Sequence, residues 1–268
     1  MKLSFRKKSQ FINLISDIIL IVFLFSFVFL SSSLANAAEV NVAVAGNFFK
    51  PLKKLATEFE AQTGNTVNLS VGATGKLYAQ ISNGAPFEVL LAADQKRPSQ
   101  LVEDKLAVKE SQFTYAKGKL VLWSKETELI DTEGKRLSSS DLEHLAIANP
   151  KAAPYGEQAV NALTNLGLYK LLKPKIVQGQ NIGQTFQYVS SGSIKQGIVA
   201  LSQVTVDGKI TSGSAWVIPT DLYQAIEQDA VLLEKGKSNP VATQFLTYLQ
   251  SPSALKIIAS FGYEVTEQ

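Results

Sequence analysis

Four short segments have residue types and spacing suited to binding an anion. In each, a small or polar residue ends an extended stretch and the first turn of a helix follows: Ala45-Gly46-Asn47-Phe48, Gly72-Ala73-Thr74-Gly75, Ala153-Pro154-Tyr155-Gly156 and Gln180-Asn181-Ile182-Gly183. The first N–H groups of a helix have no partner inside the helix, and its partial positive charge attracts phosphate-like anions without a full cation. Any one of these four tips alone is more typical of an ordinary helix cap. Together they suggest a site for a small anion.

Alternating strand and helix patterns position these tips. Valines alternate from residue 40 to 45, and Leu52, Leu55, Ala56 and Phe59 then fall on one face of a helix. The same rhythm resumes after Gly118, with apolar strands at 120–123, 145–148 and 197–201, and helices after Pro154, from Gly183 to Val189 and near the C-terminus. This alternation predicts an α/β fold of mainly parallel sheets flanked by helices. In such sheets, ligands bind at the carboxyl ends of the strands.

The first 37 residues have the layout of a secretory signal peptide. A basic start is followed by an apolar run from Ile18 to Leu30 and by Ala35-Asn36-Ala37, which is an A-x-A cleavage pattern. The run is shorter than the roughly 20 residues that a membrane span needs, although an uncleaved anchor is the alternative. We therefore expect a periplasmic protein that is exported by a cleavable signal peptide at residues 1–37.

The net charge of +3 belongs to this leader. The whole chain has 26 basic and 23 acidic residues, and the leader contains four basic residues and one acidic residue. The remaining chain is neutral, so nothing in its charge indicates nucleic acid as a partner. A neutral chain also lacks a long-range field for anions, so any anion site must use local dipoles.

The residue inventory argues against catalysis. The chain has no cysteine and a single histidine, His144, which excludes a thiolate nucleophile and leaves any histidine-based metal site with one ligand. The tips offer no close carboxylate pair, and Glu88 and Asp94, which flank an apolar stretch, are expected to cap or pair structurally. We therefore predict that the protein is not an enzyme. An enzyme on the same scaffold remains the alternative from another class.

Several motifs resemble those of the periplasmic molybdate-binding proteins, which are type II periplasmic binding proteins that serve ABC importers. The resemblance covers the chain after the leader and is carried by residues 44–48, 74–86, 92–95, 153–156, 197–199 and 261–263. The stretch Thr74 to Pro86, which ends in Asn-Gly-Ala-Pro, is fairly specific to that family. The resemblance implies two α/β lobes joined by two crossing segments: residues 38–118 and 220–268 in the first lobe and 119–219 in the second.

The resemblance also implies which residues bind the ligand. Asn47, beside Gly46, matches a polar contact made by a side chain and a neighbouring amide, and Thr74 matches a serine that binds through its hydroxyl and N–H. Tyr155 falls where the family uses an amide or a tyrosine hydroxyl, and Ile182 matches a position that contributes its N–H. The metal of the ligand would thus be held through its oxyanion oxygens, without direct ligation by protein atoms.

Two positions depart from the commoner family pattern and leave the preferred oxyanion open. Ala200 stands where some relatives have a tyrosine, and Gly46-Asn47 replaces a small residue followed by serine. The expected ligand is molybdate or tungstate, with sulfate, phosphate, a small carboxylate or a chelated metal as alternatives. The expected partners are the membrane subunits of an ABC permease. We expect no cofactor and a monomeric protein.

Overall fold

The computed structural model describes residues 38–265 of the chain. The predicted signal peptide, residues 1–37, lies outside the described residues. Within the described range, no helix combines the length and apolar character needed to cross a membrane.

Twelve strands form two large sheets and one small hairpin in this part of the chain. In chain order they are β1 (Glu39–Ala45), β2 (Thr66–Gly72), β3 (Val89–Leu91), β4 (Phe113–Gly118), β5 (Leu120–Ser124), β6 (Leu145–Ala148), β7 (Ile176–Gly179), β8 (Gly197–Ala200), β9 (Thr205–Val206), β10 (Lys209–Ile210), β11 (Ser214–Val217) and β12 (Ile226–Leu232). The first sheet has the order β2-β1-β3-β12-β4, and the second has the order β11-β5-β8-β6-β7. Each is parallel apart from one strand, β12 in the first sheet and β5 in the second.

Helices cover both faces of each sheet. In chain order they are α1 (Phe49–Thr63), α2 (Thr74–Ser82), α3 (Lys96–Glu103), α4 (Pro154–Asn165), α5 (Tyr169–Leu172), α6 (Ile182–Ser190), α7 (Leu201–Val204), α8 (Pro240–Leu249) and α9 (Pro252–Ser260). Helices α1, α8 and α9 pack on one face of the first sheet, and α2 and α3 pack on the other. Helices α4 and α5 pack on one face of the second sheet, and α6 and α7 on the opposite face.

The molecule therefore has two lobes, which we call lobe 1 (the first sheet and its helices) and lobe 2 (the second sheet and its helices). The chain passes from lobe 1 to lobe 2 between Gly118 and Leu120, and it returns between Val217 and Ile226. The two five-stranded sheets with flanking helices confirm the predicted α/β class.

The predicted β1 and α1 show how sequence pattern becomes structure. Val40, Val42 and Val44 all lie in one core cluster, while Ala43 lies in the cluster on the opposite face, as strand alternation requires. Helix α1 buries the whole predicted stripe of Leu52, Leu55, Ala56 and Phe59. It ends at Gly64, whose left-handed φ of 72° suits glycine. This strand and helix place the turn at Gly46–Phe48 at the carboxyl edge of the first sheet.

Candidate functional site

The four tips meet in a cleft between the lobes. Lobe 1 places Asn47 and Thr74 there, after β1 and β2, and lobe 2 places Tyr155 and Ile182 there, after β6 and β7. All four are buried, and together with Gly46 they line one cavity of about 10 Å³. This is close to the volume that a single water molecule requires, and far below the roughly 300–1,000 Å³ of pockets for organic ligands. The structure thus brings all five predicted site residues together around one small buried space.

Three helices begin at this cavity. In α2, the first N–H groups bonded within the helix turn are those of Lys76 and Leu77, which donate to the carbonyl of Ala73. The N–H group of Thr74 precedes these bonds, so its partner must come from outside the helix.

The tip in lobe 2 that contains Ile182 also has N–H groups whose partners must come from outside the helix. The Asn181 side chain caps α6 by accepting a hydrogen bond from the N–H of Gln184 at 2.9 Å, and the Asn181 carbonyl accepts from Thr185 at 3.1 Å. The N–H groups of Ile182 and Gly183 come before these bonded groups. Helix α4 likewise starts with Pro154 and Tyr155, and its first bonded N–H groups follow them. The cavity therefore collects partial positive charge from helices of both lobes.

Thr74 adds a hydroxyl donor. Its Oγ1 accepts a hydrogen bond of 3.0 Å from the N–H of Ala93, which occupies one lone pair and leaves the hydroxyl proton able to donate. The side chain is 1% exposed, so a ligand that accepts this proton is shielded from water.

The side chain of Asn47 takes part in a buried polar network. Its Nδ2 donates to Oε1 of Gln228 at 2.7 Å and to the hydroxyl of Tyr263 at 2.9 Å, so both amide protons have partners within the protein. In this arrangement, the donor that the tip can offer to a ligand is backbone N–H, whereas the resemblance had suggested a side-chain contact as well.

Tyr155 belongs to the same network and remains neutral. Its hydroxyl accepts a hydrogen bond of 3.1 Å from Nε2 of Gln228, which spans the two lobes. Burial raises the pKa of Tyr155 well above its usual value and raises the pKa of Tyr263 to about 12. Both hydroxyls therefore keep their protons at neutral pH, and that of Tyr263 donates to the carbonyl of Asn47 at 3.1 Å. No side chain among the eleven residues that line the cavity is charged.

Direct hydrogen bonds between the lobes hold the cleft closed. The N–H of Gly75 donates to the carbonyl of Ala152 at 2.9 Å, and Oγ of Ser202 donates to the carbonyl of Asn47 at 3.0 Å. At the first crossing, Gly118 leaves no room for a Cβ atom, because the hydroxyl of Tyr155 fills that space. The glycine thus allows Tyr155 to reach the network from the opposite lobe.

A model of the bacterial extracellular solute-binding protein family matches residues 40–264. The chain belongs to this family. It is 52% identical over 229 residues to the molybdate-binding protein ModA of Azotobacter vinelandii, which covers 85% of this chain and 91% of that protein. It is 48% identical over 233 residues to the ModA of Rhodobacter capsulatus, over 87% of this chain and 90% of that one.

The fold of this solute-binding protein agrees with a solved relative. The structure of the periplasmic molybdate-binding protein of Azotobacter vinelandii superposes with a TM-score of 0.82 and 40% identity, over 85% of this chain and 99% of that one. The two-lobed fold and the resemblance to the molybdate-binding proteins are thereby confirmed.

His144, Asp94 and Glu88 are the side chains that could suggest catalysis. His144 is exposed and immediately precedes β6, at the opposite end of that strand from Tyr155. Asp94 caps α3 by accepting from the N–H of Arg97 at 2.9 Å, and burial raises its pKa. Glu88 accepts from the N–H of Asn41 at 2.8 Å and from the side chain of Asn239 at 2.7 Å. The structural roles predicted for both acids are confirmed.

Sequence reasoning missed the residues that orient the tips. Gln228, Tyr263 and Ser202 bond to Asn47 or Tyr155 across long separations in sequence. The stretch Ile226-Glu227-Gln228-Asp229 has the polar character of a surface segment, so no local signal marked Gln228 as buried. The matching motif around Phe261-Gly262-Tyr263 was the one available indication that Tyr263 belongs near the site.

Proposed function

We propose that this solute-binding protein captures molybdate or tungstate between its lobes and delivers the anion to the membrane subunits of an ABC permease. The observation that supports this most is the lining of the buried cavity, which contains uncharged hydrogen-bond donors from both lobes and no carboxylate. The molybdate-binding relatives, at 52% and 48% identity over most of the chain, support the choice of anion.

The chemistry of the lining suits a fully deprotonated tetrahedral dianion. Such an ion only accepts hydrogen bonds, and a carboxylate in the cavity would repel it. A hydrogen bond to a charged group contributes about 1.5–3 kcal/mol, so six or seven of them offset the desolvation of the anion and the cost of ordering the lobes. A phosphate that retains a proton would gain from an acidic acceptor, and the lining contains none.

Binding would work by hinge closure. Lobe 1 supplies the tips at Asn47 and Thr74, and lobe 2 supplies those at Tyr155 and Ile182, so only the closed state offers the anion all its donors. The ligand then selects that state by differential affinity. The proposed hinge lies at the lobe boundaries 118/119 and 219/220.

We also propose where the protein resides, how it is assembled and what it does not do. We propose a cleavable signal peptide at residues 1–37, a periplasmic location and a monomer that binds no nucleic acid. We also propose that the protein is a receptor without catalytic activity, because its histidine is remote from the cavity and both acids considered above are engaged structurally.

Calorimetry tests the proposed ligand and site together. The unmodified protein should bind molybdate and tungstate more tightly than sulfate or phosphate, with competition for one site. Replacing Thr74 by Val removes the hydroxyl but keeps the branched shape and the N–H. This variant should lose about tenfold or more in affinity, because one hydrogen bond to a charged group is lost.

The matched control is Thr57→Val on the exposed face of α1, whose hydroxyl bonds only to the carbonyl of Lys53. It should bind molybdate as the unmodified protein does. Tighter binding of sulfate or phosphate than of molybdate would contradict the proposed ligand. Equal affinities of the Thr74 and Thr57 variants would contradict the proposed site.

A further inference from the structure

Two lysines of lobe 1 reach across the cleft beside the binding tips. Lys50 lies just after the Asn47 tip, and its Nζ donates to the carbonyl of Gln203 at 2.7 Å. Lys76 lies just after Thr74, and its Nζ donates to Oε1 of Gln180 at 2.8 Å. Both acceptors belong to lobe 2, so each bond exists only while the lobes are together. We call Lys50 and Lys76 the cleft lysines.

The partners of the cleft lysines surround the first turn of α6. Gln180 directly precedes Asn181, the cap of that helix, and the ring of Phe186, one turn further on, lies 4.7 Å from Nζ of Lys50. Gln203, whose carbonyl accepts from Lys50, uses its own side chain to donate to the carbonyl of Ile182 at 3.0 Å. The two lysines thus hold both sides of the turn that carries the N–H of Ile182.

The groups that accept hydrogen bonds from the two cleft lysines are uncharged. The acceptors are a backbone carbonyl and a side-chain amide, and neither cleft lysine takes part in an ion pair within residues 38–265. Partial burial lowers the pKa of Lys50 from its ordinary value. Contacts of a cation with a carbonyl or a ring face are short-ranged, so they stabilise the closed cleft but not an open one.

We infer that Lys50 and Lys76 are positioning residues that fasten α6 of lobe 2 to lobe 1 in the closed state and thereby slow release of the bound anion. This inference rests on the proposed function. Both lysines lie at the exposed rim of the cleft, where water and salt weaken charged contacts. Each bond should therefore account for about a three- to tenfold change in the dissociation rate, which is less than a buried bond to a charged group contributes.

A double-mutant cycle tests the bond between Lys76 and Gln180. Lys76→Met and Gln180→Leu should each raise the dissociation rate of molybdate, measured by stopped-flow fluorescence, about three- to tenfold. The double variant should dissociate no faster than the faster single variant, because either change removes the same bond. Gln180→Leu alters no charge. A faster dissociation in this variant therefore comes from the lost bond between the lobes and not from weaker electrostatic attraction of the anion.

Lys50→Met is compared with Lys53→Met, which removes the same charge from an exposed position on the same helix. In a buffer of about 1 M salt, where the Debye length is about 3 Å, only Lys50→Met should speed dissociation. Additive effects in the cycle, or equal effects of Lys50→Met and Lys53→Met, would overturn the inference.

A separate measurement distinguishes failure of the proposed function from failure of the inference about the cleft lysines. If calorimetry detects no binding of molybdate, tungstate, sulfate or phosphate to the unmodified protein, the proposed ligand class is wrong. Whether the cleft lysines hold the two lobes together is then measured by small-angle X-ray scattering of the ligand-free protein. A larger radius of gyration in Lys50→Met/Lys76→Met than in Lys53→Met supports it, and equal radii overturn it.

Discussion

At the scale of single residues, the buried network of Asn47, Gln228, Tyr155 and Tyr263 determines how the site presents its donors. Gln228 accepts from Asn47 and donates to Tyr155, so one side chain of lobe 1 connects tips of both lobes. A buried polar group costs free energy unless it is bonded, and a fully bonded network rigidifies its surroundings. Closure of the cleft thus both completes this network and shapes the cavity.

The raised pKa of Tyr263 makes the stability of the folded protein depend on pH above about pH 10. Tyrosine in the unfolded chain loses its proton near pH 10, whereas Tyr263 in the folded protein holds it to about pH 12. Between these values the folded state binds more protons, so its stability is complete below pH 10 and falls as the pH rises towards 12. Denaturant unfolding between pH 8 and 11 should show this fall.

Tyr263→Phe provides the comparison, because it removes the titrating group and keeps the ring. Above pH 10, its free energy of unfolding should fall less steeply than that of the unmodified protein, by up to about 1.4 kcal/mol per pH unit. Identical slopes would show that Tyr263 does not hold its proton more tightly in the folded state.

The sequence allowed the tips to be predicted but not the direction of their side chains. The tips that contain Thr74 and Ile182 were identifiable because a strand that runs into a helix exposes N–H groups wherever it occurs, and the resemblance implied which residue of each tip binds. The partners of Asn47 lie on β12 and near the C-terminus, so its side-chain orientation depends on contacts that no local pattern reveals.

At the scale of elements, the starts of α2, α4 and α6 direct their positive ends at the cavity where we propose that the anion binds. Ile182→Pro tests this directly, since proline is tolerated at the first position of a helix and removes the N–H, together with part of the buried side chain. Asn181 is extended, with φ −151° and ψ 173°, which is compatible with a following proline. Affinity for molybdate should fall about tenfold or more with the fold intact.

Ile182→Val is the control, since it trims the same buried side chain and keeps the N–H. It should retain the affinity of the unmodified protein to within a few-fold. Equal binding by the Pro and Val variants in calorimetry would show that the N–H of Ile182 makes no contact with the anion.

Elements were predictable where their pattern is local. Strands β1, β6 and β8 and the amphipathic helix α1 followed from periodicity alone. Strands β4 and β12 did not, since β12 combines the buried polar residues Gln228 and Asp229 with a bulge between them. These residues are stabilised by distant partners, as where Thr114 and Gln112 donate to the carboxylate of Asp229.

At the scale of the whole molecule, the two lobes place uncharged donors on opposite sides of one small space. Cleft-closing bonds such as Gly75 to Ala152 bring the two sheet edges together, and the cavity forms only where they meet. We therefore expect one oxyanion to bind between the lobes and to be held by groups from both.

A crystal of the protein grown with molybdate and measured across the molybdenum absorption edge would locate the bound anion. We expect one strong anomalous peak between the lobes, with hydroxyl or N–H groups of Thr74, Tyr155 and Ile182 within hydrogen-bond distance of the oxygens of the anion. A peak on the outer surface, or one contacted by residues of a single lobe, would contradict this expectation.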